Sequence, residues 1–173
     1  MAATATLATA GGVLAYVGLG ANLGEASASV HQAMRDVALL PGCALVARSS
    51  LYRSAPVDAV GPDYINAVMA IQTSLQAPEL LLRLHHLEAL AGRQRPYRNA
   101  PRTLDLDLLL YGDVQLDTPS LTLPHPRMHQ RAFVLLPLYE IAPQCVSPQA
   151  LAAVRDQRVE RLGGAVGFVG VQA

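Results

Sequence analysis

An alternating run between positions 103 and 111 constrains the fold of this chain more than any other feature. Four leucines alternate there with two aspartates: Leu104, Asp105, Leu106, Asp107, Leu108 and Leu110. Successive side chains of a β-strand point to opposite faces, so this period of two predicts a strand with a leucine face and an acidic face. The leucine face needs a core to pack on, and the two carboxylates project together on the other side.

The segments around this strand predict a mixed fold. Apolar periodicity and turn residues predict strands at about 13–19, 43–52, 64–75 and 103–111, and helices at about 26–40, 78–91, 130–141 and 148–158. The stretch from Gly18 to Gly24 reads as a turn between the first strand and the first helix. The order β-α-β-β-α-β is that of a ferredoxin-like α+β sandwich, an antiparallel sheet with helices packed on it.

Length and termini predict a single domain. A chain of 173 residues that is 51% apolar can bury one substantial core. We predict a flexible tail at residues 1–12 and one domain at residues 13–173, with the Gly/Val-rich end as a candidate edge strand. Cys43 and Cys145 lack a CxxC spacing, so neither a zinc site nor a disulfide framework is indicated, and a reducing cytoplasm fits.

The charged residues limit the chemistry. Basic and acidic residues balance at 13 each, so no overall field attracts nucleic acid or an anionic membrane. Every basic residue is arginine, which excludes a Schiff-base lysine and the lysine of a P-loop. Arginine instead offers a planar fork for phosphate oxygens.

Asp105 and Asp107 are the first candidate functional residues. Their Cα atoms should lie about 6.6 Å apart, from the rise of a strand. Carboxylates at this spacing can bind magnesium ions for phosphoryl chemistry, and the alternative is an ordinary solvated strand face.

A second candidate is the basic segment upstream of the acidic strand. It contains four arginines whose mutual repulsion favours an anion such as a triphosphate: Arg93, Arg95, Arg98 and Arg102. The alternative is a basic loop without a ligand.

The histidines divide into one candidate and four surface residues. His125 stands between two prolines and near Arg127 and Arg131, where it either donates to phosphate or has a structural role in a turn. The remaining histidines are expected at the surface or as capping residues: His31, His85, His86 and His129.

Five motifs in this order resemble one family. They are GLGANL at 18–23, SSLYRSAP at 49–56, DYINA at 63–67, PRTLDLD at 101–107 and LPHP at 123–126. Together they resemble 6-hydroxymethyl-7,8-dihydropterin pyrophosphokinases, from about residue 15 to residue 143. The resemblance implies transfer of pyrophosphate from ATP to 6-hydroxymethyl-7,8-dihydropterin, with AMP and the pterin diphosphate as products, in tetrahydrofolate biosynthesis.

The resemblance also implies roles for individual residues. Catalysis would involve Arg95, Arg98, Asp105 and Asp107, with Asp105 and Asp107 as ligands of two Mg²⁺ ions. ATP would be bound by Glu88, Arg93, Arg95, Arg102, Leu108, Thr122, His125 and Arg131. The pterin would lie between the rings of Tyr64 and Phe133, and its contacts would comprise Ser54, Ala55, Val57, Tyr64, Asn66 and Phe133.

Several positions depart from the family pattern: Asn99-Ala100 in the basic segment, Ser54-Ala55 before Pro56, Pro126, and His85 in place of a glutamine. We expect these to affect affinity and closure more than reaction type. The expected partners are the two small-molecule substrates, with no nucleic acid, no membrane and a monomeric state. Two alternatives stay open: a non-catalytic ferredoxin-like ligand-binding module, and another metal-dependent nucleotidyl or phosphoryl transferase.

Overall fold

An antiparallel sheet with helices on both faces forms the centre of the molecule. The computed structural model describes residues 12–56, 61–92, 104–163 and 167–168. The first part of the fold comprises β1 Val13–Ala21, α1 Ala26–Ala38, β2 Cys43–Arg48, β3 Tyr52–Ser54, β4 Tyr64–Thr73, α2 Ala77–Gly92 and β5 Asp105–Tyr111. The second part comprises β6 Leu116–Asp117, β7 Thr122–Leu123, α3 Ala132–Ile141, α4 Pro148–Ala153, β8 Val159–Arg161 and β9 Gly167–Phe168.

The sheet has the strand order β5-β1-β4-β2-β9, and β3 pairs with both β4 and β8. All of these pairs are antiparallel. The predicted α+β sandwich, an antiparallel sheet with helices packed on it, is therefore confirmed. Part of the Gly/Val-rich end also forms an edge strand, because β9 pairs with β2.

The predicted second strand is wrong as one continuous element. It divides into β2 and β3 at Ser49 and Ser50, where side-chain hydrogen bonds replace part of the regular ladder. The Ser49 hydroxyl accepts from the Val68 amide at 2.9 Å, and the Ser50 amide donates to Glu140 on α3 at 3.1 Å. A side chain that satisfies a backbone group lets the strand change direction without leaving that group unpaired.

Helix ends also differ from the prediction. The predicted helix at 130–141 is a 3₁₀ helix, Met128–Gln130, followed by α3, because Arg131 between them has extended backbone angles of −122° and 108°. The last predicted helix ends at Ala153 rather than near residue 158.

Two apolar cores lie on opposite faces of the sheet. One face packs against α1 and α2, where Val30, Leu80 and Leu84 are fully buried. The other, here called the α3 face, packs against α3, α4 and the connecting segments through Val68, Leu109 and their neighbours. Asn66 and Phe133, two of the predicted pterin contacts, lie between the sheet and α3.

The predicted leucine face of β5 is wrong at Leu110, because the strand contains a bulge. Tyr16 of β1 opposes Leu110 and Val17 opposes Leu108, so Leu109 is an extra residue in β5. The extra residue shifts the alternation. Leu110 consequently packs against the core of the α3 face, away from the leucines that precede Leu109 in the stripe.

Candidate active site

The α3 face changes character along three neighbouring strands. At one end it carries the large buried side chains of Tyr16, Val68 and Leu109. At the other end the residues that follow the same alternation are Gly18 and Gly20 on β1, Asn66 on β4, and Asp105 and Asp107 on β5. The N-terminal part of α3 covers this polar end with Phe133 and Val134. The result is a cavity of about 200 Å³ between the sheet and α3.

Two glycines form the floor of this cavity, and the sequence reasoning missed their role. Residues 18–21 were predicted as part of a turn, but they are the end of β1. Gly18 lies opposite Asp107, and Gly20 lies opposite both Asp105 and Asn66. A Cβ at Gly20 would approach Asn66 Oδ1 to 3.4 Å. The sequence did carry a signal for them. If the period of two in β1 is continued to Ala21, both glycines fall inside a strand, where glycine often marks a close approach of a ligand or of another backbone.

The residues predicted to bind the pterin come together around this cavity. Ser54, Ala55, Tyr64, Asn66 and Phe133 all line it. Val57, the other predicted pterin contact, lies outside the described residues. The grouping is consistent with a flat ligand held between two rings and read by polar groups at one edge.

Asn66 is the more deeply buried of the two buried polar residues in the group, with 4% of its surface exposed against 6% for Ser54. Its side-chain amide donates to the Ser54 hydroxyl at 2.8 Å and to the Tyr52 carbonyl at 3.4 Å. These bonds fix the orientation of the amide, which leaves its carbonyl oxygen directed towards the Gly20 side of the cavity. A fixed amide suits recognition of a heterocycle by hydrogen bonds.

A second cavity of about 220 Å³ adjoins the first, with Asp107 in the lining of both. Three predicted ATP-binding residues line it: Leu108, Thr122 and His125. His85 also lines it, although its side chain is exposed as the sequence predicted. Asp107 therefore lies where the two cavities meet.

His125 is held by β5 and by its own turn. Its backbone amide donates to the carbonyl of the bulge residue Leu109 at 2.9 Å, and its Nδ1 accepts from the Arg127 amide at 3.2 Å. Nε2 lies 4.0 Å from Asp107 Oδ1. Burial lowers the pKa of His125, as do the positive charges of Arg131 and Arg127, while Asp105 acts in the opposite direction. Because Nδ1 accepts, the Nε2 of the neutral ring carries the proton.

The other predicted nucleotide residues occupy different places. Arg131 lines the first cavity, with its guanidinium 5.5 Å from the centre of the Phe133 ring. Glu88 on α2 accepts from the Leu106 amide at 2.6 Å, which ties α2 to β5 between the two aspartates. Arg93, Arg95, Arg98 and Arg102 lie outside the described residues.

The carboxylate pair suits magnesium. In the described part of the chain, no cluster of three or more His, Cys, Asp and Glu side chains could hold a metal ion on its own. Magnesium is commonly bound by one or two carboxylates and completes its shell with substrate phosphates and water. Asp105 and Asp107, half-buried at the cavity wall, supply such a set of hard oxygen donors.

Comparison with known families agrees with this geometry. The family model for 7,8-dihydro-6-hydroxymethylpterin-pyrophosphokinase (HPPK) matches residues 16–143. The chain belongs to the HPPK family. The part of the chain that matches the HPPK model runs from β1 to just beyond the end of α3.

Related HPPK proteins carry the similarity over most of their length. The 2-amino-4-hydroxy-6-hydroxymethyldihydropteridine pyrophosphokinase of Synechocystis sp. is 46% identical over 136 residues, which cover 79% of this chain and 70% of the relative. The protein of the same name from Pseudomonas aeruginosa is 43% identical over 157 residues, which cover 87% of this chain and 97% of the relative.

The HPPK fold is also found in solved structures. The crystal structure of wild-type Plasmodium falciparum HPPK-DHPS with pterin and p-hydroxybenzoate matches with a TM-score of 0.63 at 12% identity. The match covers 83% of this chain and 44% of the other, so the chain spans less than half of that protein. At this identity the similarity concerns the fold. Within the described residues, no helix is both long and apolar enough to cross a membrane.

Proposed function

We propose that this HPPK protein uses ATP and magnesium for the reaction of its family. That reaction transfers pyrophosphate to 6-hydroxymethyl-7,8-dihydropterin and yields AMP and the pterin diphosphate, in the biosynthesis of folate. The single observation that carries the proposal is the position of Asp107 in the walls of both cavities. A donor in the second cavity and an acceptor in the first would meet at the carboxylate pair.

The acceptor is proposed to occupy the first cavity. Tyr64 and Phe133 would stack on the pterin, and Asn66 would read its polar edge with its oriented amide. Ser54, Ala55 and Val57 complete the proposed contacts. With the ring fixed in this way, the hydroxymethyl oxygen would point towards Asp105 and Asp107.

The nucleotide is proposed to occupy the second cavity. Leu108, Thr122 and His125 would contact it there, and Arg131 would face the phosphates from the first cavity. Glu88, Arg93, Arg95 and Arg102 are further proposed nucleotide contacts, and Arg95 with Arg98 would neutralise charge on the transferred group. The neutral His125 can donate from Nε2 to a phosphate oxygen without a change in its own charge.

Asp105 and Asp107 are proposed to hold two Mg²⁺ ions against the triphosphate. When bound, magnesium neutralises phosphate charge and aligns the attacking and leaving oxygens. The chain itself contributes positioning, because the two proposed substrate cavities meet at the same carboxylate, Asp107.

A non-catalytic binding module is the competing function. Two carboxylates at the junction of the cavities favour the enzyme, since a pure binder of a pterin has no need for magnesium ligands there. Monomeric state and cytoplasmic location stay predictions, and light scattering tests the first.

The decisive experiment measures AMP release from ATP and magnesium, with and without 6-hydroxymethyl-7,8-dihydropterin. AMP that appears only with the pterin supports the proposed reaction. AMP that appears equally without the pterin would indicate hydrolysis and contradict it. Nucleotide binding with no AMP in either case would favour the binding module.

A further inference from the structure

A hydrogen-bond network around one buried carboxylate joins α3 to β3 next to the first cavity, here called the pterin cavity, on residues that the proposed reaction does not use. Glu140 is near the C-terminal end of α3, and 8% of its side chain is exposed. Its carboxylate accepts from the Ser50 amide at 3.1 Å, from the Ser50 hydroxyl at 2.7 Å and from the Tyr52 hydroxyl at 2.6 Å. The Arg161 guanidinium lies 3.3 Å away and also donates to the Ser50 hydroxyl at 3.2 Å.

The partners of Glu140 lead directly to the pterin-binding residues. Tyr52 belongs to β3, and its carbonyl accepts from the Asn66 side chain. Ser54, two residues further along β3, holds the same Asn66 amide at 2.8 Å. The network therefore fixes the strand that orients Asn66.

Glu140 also belongs to the helix that carries the opposite wall. Phe133 precedes it by seven residues, which is about two helical turns, so both side chains project from one side of α3. Phe133 reaches the cavity and Glu140 reaches β3. Glu140 thus joins α3, which carries Phe133, to β3, which pairs with β4 beside Tyr64.

We propose that Glu140 is a positioning residue that sets the spacing between β3 and α3, and so the width of the pterin cavity. The inference rests on the proposed function of that cavity. Apolar packing alone allows α3 to slide on the sheet, whereas several short hydrogen bonds to one buried carboxylate admit a narrow range of positions.

The nucleotide residues provide an internal comparison. Leu108, Thr122 and His125 are attached to β5, β7 and the turn after β7, and none of them contacts the Glu140 network in the described structure. Arg131, a proposed phosphate contact at the start of α3, is the exception. A change at Glu140 should therefore weaken pterin binding far more than nucleotide binding. A residue with only a general role in stability would affect both substrates together.

The test compares Glu140→Gln and Tyr52→Phe with the wild-type protein. The matched control is Glu160→Gln, because Glu160 is an exposed carboxylate on β8 that pairs with Arg53 at 4.0 Å. We expect KM for the pterin to rise about tenfold in both network variants, as misplacement of a binding wall predicts, while KM for ATP stays within about twofold. Circular dichroism and urea unfolding establish that each variant is folded at the assay temperature.

Tyr52→Phe removes one hydroxyl and leaves the charge pair of Glu140 and Arg161, so it keeps the test available if Glu140→Gln does not fold. An unchanged KM for the pterin in a folded network variant would overturn the inference, and so would an equal rise in KM for both substrates. The dissociation constant of the pterin, measured by its fluorescence with a non-hydrolysable ATP analogue, separates this inference from the proposed reaction. A wild-type protein that binds pterin without releasing AMP would contradict the proposed reaction. In that case the effect of Glu140→Gln on the dissociation constant of the pterin would still decide whether Glu140 positions the cavity wall.

Discussion

Asp105 and Asp107 share one side of β5, but they differ in what they border. Asp105 lines the first cavity alone, whereas Asp107 lines both cavities and lies 4.0 Å from the His125 ring. The bulge at Leu109 contributes to this difference, because the Leu109 carbonyl holds the backbone of His125. The two carboxylates therefore need separate tests.

We predict that Asp105→Asn and Asp107→Asn each lower kcat by at least about a hundredfold, since each change removes a charged oxygen ligand from the proposed magnesium site. Pterin-dependent AMP release at saturating magnesium measures the effect. Asp113→Asn is the control, because Asp113 is an exposed carboxylate in the turn just after β5. A variant of Asp105 or Asp107 that keeps most of the wild-type kcat would contradict a metal role for that residue.

Single residues were predictable from the sequence where chemistry and local periodicity coincide. Asp105 and Asp107 are two positions apart in a strand, and this spacing alone places their side chains together. The family resemblance predicted that Asn66, Tyr64 and Phe133 lie together, and all three line the first cavity. The period of two could have marked Gly18 and Gly20 as glycines inside a strand, but the residues that they face depend on the register that sets them opposite Asp107 and Asp105. Glu140 was missed for the same reason, since its partners lie about 90 positions away.

At the scale of the elements, Gly42 controls how α1 turns into β2. Its φ is +82°, and a Cβ there would lie 2.7 Å from the Ser74 hydroxyl oxygen. The Gly42 carbonyl also accepts from the Ser74 amide at 2.9 Å, which joins this turn to the end of β4. Gly24 likewise has a positive φ of +55°, but its Cβ position is open.

We expect Gly42→Ala to lower the free energy of unfolding by about 2 kcal/mol and Gly24→Ala by about 1 kcal/mol. The first change combines a left-handed backbone with crowding, and the second has the backbone cost alone. Urea unfolding of the single variants measures both values.

A double variant isolates the contribution of crowding. Ser74→Ala in the Gly42→Ala background removes the crowded hydroxyl and should restore part of the lost stability. Equal destabilisation at Gly42 and Gly24, with no recovery in the double variant, would show that crowding at Ser74 is unimportant.

Elements with a regular apolar period were predicted well, and their interruptions were not. The period of two identified β5, and the apolar stripe identified α1 and α2 to within a few residues. The division of β2 from β3 depends on Ser49 and Ser50 bonding to Val68 and Glu140, which are distant in sequence. The bulge at Leu109 depends on pairing with β1. Local patterns cannot contain information that arises from pairing.

At the scale of the whole molecule, both faces of the sheet bury tyrosines. Burial raises the pKa of Tyr16, on the α3 face, to about 12, and the interaction with Cys145 acts in the same direction. Burial also raises the pKa of Tyr111, on the opposite face. On the α3 side, burial and the hydrogen bond to Glu140 raise the pKa of Tyr52.

These shifts predict a loss of stability in alkali. An unfolded tyrosine releases its proton near pH 10, and the folded Tyr16 retains its proton up to about pH 12. The unfolded state therefore binds fewer protons in this window, and the free energy of unfolding falls as pH rises above about 10. Urea unfolding between pH 8 and pH 11 should show the decline.

Tyr16→Phe should reduce the slope of that decline, because the variant has one fewer buried hydroxyl to ionise. Tyr139→Phe is the control, since Tyr139 is 46% exposed. A Tyr16→Phe protein whose stability declines as steeply as that of the control would exclude Tyr16 as a source of the alkaline loss.

The place of β1 between β4 and β5 has a consequence for biosynthesis. β1 is synthesised before both of the strands that flank it, which begin at Tyr64 and Asp105. At bacterial and eukaryotic elongation rates, about 5 to 20 s pass between the synthesis of β1 and that of β5. During that interval a nascent chain on the ribosome carries an apolar strand with one or both edges unpaired, which is the state that chaperones bind. The carboxylate pair therefore reaches its place opposite Gly18 and Gly20 only after β5 has emerged from the ribosome.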